Sequence, residues 1–155
     1  MTRRRAPIKI EDCNMAKAMN VLGDKWKLLI LREAFYGVRR FADIADDVGI
    51  SPNILSNRLN DLETEDVLSK VPYKDDRQRT RYEYRLTDKG KDLALVIVAL
   101  MQWGNAHLSE GKPPPLRLLR KGSGENVKAA LVTGRGERVT HLRDIEIDFL
   151  TDSKE

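Results

Sequence analysis

Apolar and polar positions follow two periods along this chain, and the switches between them lay out the expected architecture. From Cys13 to Leu22, the residues Met15, Ala18, Met19 and Leu22 share one face at helical spacing, and Gly23 interrupts the run. Asp24 can cap a stronger helix, KWKLLILREAFYG, that ends at Gly37. Trp26, Leu29 and Ile30 mark its stripe, and Leu28 and Leu31 widen it enough for contacts on two sides. Over 67–73 and 79–87 the period drops to two. Tyr82, Tyr84 and Leu86 alternate with Arg81, Glu83 and Arg85, as on a half-buried strand, and the polar connector KDDRQ (74–78) joins the two runs into a hairpin. Helical spacing returns after Thr87, a capping residue, and predicts one long helix over 88–109 with Leu93, Val96, Ile97, Leu100, Met101, Trp103 and Leu108 apolar.

The most informative stretch lies between, FADIADDVGISPNILSNRLNDL (41–62). Ala45, Gly49 and Leu55 have the spacing that lets two short helices pack across a tight turn: Ala45 is small, Gly49 can take a positive φ, and Leu55 points back at Ala45. Ser51 can cap the second helix, with Pro52 at its first position. Ile54, Leu55, Leu59 and Leu62 form the expected buried row, and Pro52, Asn53, Ser56, Asn57 and Asn60 the opposite face. That face holds no Lys or Glu. Asparagine offers a donor and an acceptor side by side, which matches an adenine edge. This is a helix-turn-helix pattern, and Ser51, Pro52, Asn53, Ser56, Asn57 and Asn60 are candidate DNA contacts. Arg58 borders the buried row and can reach a phosphate or pair with Asp61 or Asp43. A hairpin directly after such a motif is a wing, and Lys74, Arg77, Arg79 and Arg81 are its candidate phosphate or minor-groove contacts. Arg39, just before the motif, is a candidate backbone contact.

The expected fold is mainly α with a small β component (α+β): a winged helix-turn-helix, a long C-terminal dimerisation helix and a small β-rich C-terminal extension. The expected division is a basic N-terminal arm at 1–10, the DNA-binding and dimerisation domain at 11–110, and the extension at 111–155, opening on GKPPP (111–115). In the extension, Asn126–Val132 and Glu137–Leu142 could pair around TGRG (133–136), with DIEIDF (144–149) as a third strand. The last helix of the domain carries more apolar surface than a small winged domain can cover. That predicts a second copy of the chain against Leu93, Val96, Ile97, Leu100 and Trp103. Trp26 is expected in the core or at that interface.

Composition narrows the chemistry. The 155 residues carry a net charge of +4 and a pI near 9.2, a mild basic excess. From Lys70 to Lys91 there are eight basic and four acidic residues, and 8 − 4 = +4 is the charge of the whole chain. The basic excess therefore sits at the wing and just after it. One cysteine, Cys13, excludes an intrachain disulfide, and His107 and His141 have no ligand spacing, so no metal or other cofactor is expected. A thiol enzyme is not expected either, because neither histidine lies near Cys13 in sequence to act as its base. The first residues are basic with no apolar run behind them, unlike a signal peptide, and the apolar stretch Leu93–Met101 is too short to cross a membrane. A cytoplasmic location is the expectation.

Several segments resemble HxlR-type winged helix-turn-helix regulators in order and spacing: CNMAKAMNVLGDKW (13–26), LLILR (28–32), RRF (39–41), ISPNILSNRL (50–59), LTDKG (86–90) and WG (103–104). The resemblance implies a homodimeric, sequence-specific DNA-binding transcription factor, here expected to repress, with dimer contacts from the first helix (Met15 and Met19) as well as the last, and a recognition helix beginning near Ser51. Its partners would be double-stranded DNA, a second copy, and a small-molecule or oxidant effector. Several such proteins sense electrophiles or oxidants through a cysteine at the place of Cys13, which makes Cys13 a candidate redox sensor; Lys9 and Lys17 would favour its thiolate, and Glu11 and Asp12 oppose it. The wing departs from the family pattern, with KDDRQRT where many relatives have prolines. Ser123, Thr133 and Gly136 stand where a cysteine knuckle would need thiols. The alternative is a winged helix used for protein docking, which should expose large apolar side chains on the face that here carries Asn and Ser.

Overall fold

The computed structural model describes residues 8–149. The chain forms two compact units: Val21–Ala129, and a second drawn from the segments on either side, of which 8–20 and 130–149 are described. The arm residues 1–7 lie outside the described residues.

In the larger unit, local chemistry sets each helix boundary. Helix α1 (Asn14–Leu22) brings Leu22 into the core. Helix α2 (Lys25–Tyr36) starts at Asp24, whose carboxylate accepts the Trp26 N–H at 2.7 Å, and stops at Gly37 with φ 90°. Helix α3 (Phe41–Val48) ends at Gly49, φ 68°, whose N–H closes on the Ala45 carbonyl at 3.0 Å. Helix α4 (Pro52–Thr64) follows after two residues. The hydroxyl cap expected from Ser51 does not form. Pro52 at the first position has no N–H to satisfy and its fixed φ already starts the helix; Ser51 contributes only its carbonyl, which accepts the Leu55 N–H at 2.9 Å.

Leu55, Leu59 and Leu62 are fully buried, and they pack with Ile30, Leu31, Ile44, Val67 and Leu68 into one core. Ile54, expected in that row, is 38% exposed. It precedes Leu55 by one residue, and that step turns it about 100° away from the buried line.

Strands β1 (Leu68–Lys74) and β2 (Thr80–Leu86) pair antiparallel from Leu68↔Leu86 to Lys74↔Thr80. Residues 39–40 add a short third edge: the Tyr84 N–H donates to the Arg39 carbonyl at 2.8 Å, and Arg40 bridges Glu83. The wing is thereby tied to the start of α3.

The single long helix expected over 88–109 is instead two, α5 (Asp88–Asp92) and α6 (Ala94–His107). The Thr87 hydroxyl accepts the Gly90 N–H at 3.0 Å and donates to the Asp66 carbonyl at 2.6 Å. Gly90 sits so close to Val67 that a Cβ there would lie 2.1 Å from the Val67 carbonyl oxygen. That contact anchors α5 to the residue that precedes β1, whereas α6 packs on α2. The chain turns between them at Leu93, whose N–H reaches back three residues to the Gly90 carbonyl at 3.2 Å.

On α6, Ile97 is buried and Met101 partly buried against the core, and Leu93, just before the helix, is partly buried there too. Leu93 and Ile97, expected at a dimer interface, are therefore core residues of this chain, on the face turned inward. Trp26 also packs on the core. Val96, Leu100 and Trp103 remain exposed.

The larger unit runs past the boundary expected at residue 111. The Val127 N–H donates to the Leu118 carbonyl at 2.8 Å, and the Gln102 side chain grips both backbone groups of Ala129, accepting its N–H at 2.6 Å and donating to its carbonyl at 3.0 Å.

In the second unit, β3 (Leu131–Val132) and β4 (Arg138–Val139) pair across the TGRG turn. The longer strands expected over 126–132 and 137–142 shrink to two residues each. Residues 144–149 form no strand; Leu142–Asp144 is a single 3-10 turn. Alternation alone does not make a strand where no neighbouring edge accepts the backbone hydrogen bonds. Met15 and Met19 are exposed on α1, and Cys13 is half-buried just before it.

Candidate nucleic-acid interface

Ser51, Pro52, Asn53, Ser56, Asn57 and Asn60 are all exposed on α4, opposite the buried leucines. No acidic residue lies in its first turn. The side chains of Asn53, Ser56 and Asn57 enter no hydrogen bond among the described residues, so their donors and acceptors face outward uncommitted.

Arg58 is placed differently. Its Nε donates to Asp24 Oδ2 at 2.7 Å, and its Nη1 lies 3.9 Å from Asp61. Asp43, one of the partners expected for it, is not used. Asp24 thus caps α2 with one oxygen and holds α4 with the other. Burial pushes the Asp24 carboxyl up, but the Trp26 N–H and the Arg58 guanidinium outweigh that and hold it below the usual carboxylate value of 3.8. Lys27 bridges Asp61 at 3.1 Å, a second tie between the same two helices.

The wing tip is organised by one carboxylate. Asp75 Oδ1 accepts the backbone N–H of Arg77 at 3.0 Å and of Arg79 at 2.9 Å, an Asx-type turn. Its Oδ2 accepts from Arg79 Nε at 3.1 Å and Arg81 Nε at 3.3 Å. The Arg79 N–H, followed by the two guanidiniums and the Arg77 N–H, overcomes the opposing effect of burial and lowers the Asp75 pKa. Lys74 donates to Thr80 Oγ1 at 2.8 Å. Arg39, Lys74, Arg77, Arg79 and Arg81 are all exposed. The structure therefore gathers the predicted residues into two groups, the α4 face and the wing tip, with Arg39 beside the wing through its backbone bond to Tyr84.

Sequence reasoning found Asp24 as the α2 cap but missed its tie to Arg58; it also missed Asp75 as organiser of the wing tip and two cation–ring pairs, Arg40 over the Tyr73 ring at 5.1 Å and Lys70 over Tyr82 at 4.6 Å. The D-x-R pattern at Asp75 was a readable turn signal. Nothing local in the sequence marks Asp24 as the partner of Arg58.

Among the described residues, no group of three or more His, Cys, Asp or Glu side chains is arranged to hold a metal ion, and no helix is long and apolar enough to cross a membrane.

A helix-turn-helix, α3 and α4, packed on α2 and followed by an antiparallel hairpin, defines the winged helix-turn-helix class. Residues 21–112 match the HxlR-like helix-turn-helix family, and the chain belongs to that family. It is 42% identical over 133 residues to Rv3095 of Mycobacterium tuberculosis, an uncharacterized HTH-type transcriptional regulator, covering 85% of this chain and 83% of that one. Among solved structures it is similar to PA1607, with a TM-score of 0.77 and 34% identity over 88% of this chain and 94% of that one. PA1374 from Pseudomonas aeruginosa gives a TM-score of 0.59 and 31% identity, covering 92% and 96%. Fold and relatives are those of DNA-binding transcription regulators rather than enzymes.

Proposed function

We propose that this chain is a homodimeric, sequence-specific DNA-binding repressor. The observation that carries the reading is the α4 face: six small polar or proline residues, exposed, on a helix locked from behind by three buried leucines and by the Asp24–Arg58 pair. Asn53, Ser56, Asn57 and Asn60 read base edges in the major groove, and Ser51 and Pro52 bring the start of α4 against the backbone. Lys74, Arg77, Arg79 and Arg81 on the wing, with Arg39 beside it, contact phosphates. Arg58, already bound to Asp24, positions α4 rather than gripping DNA.

The dimer reading rests on α6. Val96, Leu100 and Trp103 recur at i, i+4 and i+7 and are exposed, with the His107 ring tilted against Trp103, centroids 5.4 Å apart. A second copy covers this stripe and sets the two α4 helices at half-sites about 34 Å apart or a multiple of that. Met15 and Met19, exposed on α1, offer a further apolar contact. Repression then needs only that the bound dimer occlude a promoter. An oxidant signal would act through Cys13, the sole thiol, by joining two chains or taking up a small thiol.

The experiment is fluorescence anisotropy against duplex fragments from the organism's own promoters, at several salt concentrations. One fragment is expected to bind far above the rest, with affinity falling as salt rises. Combined Asn53→Ala and Asn57→Ala should erase that preference. Equal binding to all fragments, or a preference that survives the double substitution, would refute the reading and favour a protein-docking module.

A further inference from the structure

We infer that α6 and the segment that crosses it, residues 114–129, form a binding site for an organic anion with an extended apolar body, of the class of medium-chain carboxylates. A cavity of about 470 Å³ lies between them, with Val98, Met101, Ala106 and Leu116 among its apolar walls and Arg117 and Lys128 among its polar ones. That volume is within the range of about 300–1,000 Å³ usual for small-molecule sites. Among the described residues, no carboxylate lines it. Nearby, Arg120 is neutralised by Glu125 at 3.6 Å, whereas Arg117 and Lys128 enter no ion pair among the described residues. Two cations without a counter-ion beside an apolar wall select an anion and repel an amine.

The body of the ligand has its own place. A second cavity of about 330 Å³ lies on the same segment, shares Val98, Leu118, Val127 and Lys128 with the first as wall residues, and is also lined by Phe35 and Leu95. Its walls are apolar apart from Lys128. A compact polyanion such as a nucleotide would leave this half unfilled; a carboxylate at Arg117 and Lys128 with a hydrocarbon tail fills both. The walls are held in place by the Gln102 grip on Ala129 and by the Val127–Leu118 backbone bond. This gives the segment after the winged domain a role that sequence patterning left blank.

The site also has a route to function. Val98, Gln102 and Ala106 face the cavity, while Val96, Leu100 and Trp103 lie on a different side of the same helix. A ligand seated under the segment touches the helix that carries the proposed dimer stripe. That regulatory consequence rests on the repressor reading; the binding site itself does not.

The test is titration calorimetry on the full chain with decanoate, and with decanol and decylamine as probes of the same length. Decanoate is expected to bind once per chain and about tenfold or more tighter than either neutral or cationic probe, the worth of one or two charge-assisted hydrogen bonds. Combined Arg117→Gln and Lys128→Gln, both at exposed positions, should remove that advantage and leave the melting temperature unchanged. Ala106→Trp, which fills the mouth from an exposed site, should abolish binding of all three probes. No binding of decanoate at about 1 mM, equal binding of decanoate and decylamine, or decanoate affinity indifferent to the glutamine substitutions would each overturn the inference. DNA binding measured on the same samples separates the two readings: loss of decanoate binding with DNA binding intact refutes only this site, and the reverse refutes only the repressor.

Discussion

Helix α4 and the wing hold their polar groups in opposite ways. On α4 the outward side chains of Asn53, Ser56 and Asn57 have no hydrogen-bond partner among the described residues, yet the helix beneath them is fixed by Leu55, Leu59 and Leu62 and by Arg58 bound to Asp24. On the wing, the strands are thinly buried beyond Leu68, and the charged groups of the tip are engaged with one another through Asp75. The difference separates two tasks. Reading a base edge depends on direction, so it calls for rigid, uncommitted donors and acceptors. Attracting phosphates depends on charge at a distance, which tolerates motion and survives an internal ion pair.

The strongest way to break this comparison is to loosen the rigid side. Leu59→Ala removes a fully buried side chain from behind the α4 face and should cost about 2–5 kcal/mol of stability in urea unfolding. Tyr82→Ala, on the exposed wing, should cost a small fraction of that. Equal losses would mean that the wing is as firmly held as α4. The next effect in size concerns specificity. Asn57→Ala should remove about 1–3 kcal/mol of discrimination at one base position while leaving the melting temperature unchanged. Arg77→Gln should instead weaken all sequences alike and reduce the salt slope by about 0.9 for one phosphate contact. If the asparagine and arginine variants gave the same pattern across fragments, the division of labour would collapse.

What was legible in the sequence follows from how local each cause is. The turn between α3 and α4 was readable because Ala45, Gly49 and Leu55 determine it within eleven residues. The hairpin was readable because its alternation and its polar connector are contiguous. The break at Leu93 was not, because its cause is the close approach of Gly90 to the carbonyl of Val67, which periodicity cannot register. Arg58 could be placed at the edge of the buried row, but not with Asp24, 34 positions away, since Asp43 and Asp61 were better placed on any local argument. The tail strands failed for the converse reason: the alternation was present, but β3 and β4 offer only two paired residues each.

Asp24 gives a smaller test, since it couples both helices behind the interface. Asp24→Ala removes the α2 cap, worth about 0.5–2 kcal/mol, and frees Arg58. If α4 owes its setting to that pair, DNA preference should blur by more than the loss of stability explains. The pH dependence has a definite sign. A carboxyl held below 3.8 contributes stability that is present above that value and is lost as pH falls through the lowered pKa of the folded chain. Wild type should therefore lose stability on acidification below about pH 4 more steeply than Asp24→Asn.

The gentlest change falls on the wing. Asp75→Asn retains the side-chain oxygen that accepts the N–H groups of Arg77 and Arg79, so the turn can persist, but it removes the charge that engages Arg79 and Arg81. Both guanidiniums then face solvent unneutralised. DNA affinity at low salt should rise a few-fold for all fragments alike, with a steeper salt slope and no change in which fragment is preferred. Between pH 5 and 8 that difference from wild type should be flat, since the Asp75 carboxyl, held below 3.8, stays charged throughout. A shift in fragment preference would show that Asp75 aims the wing arginines at particular bases, and reading of sequence would then extend from α4 to the wing tip.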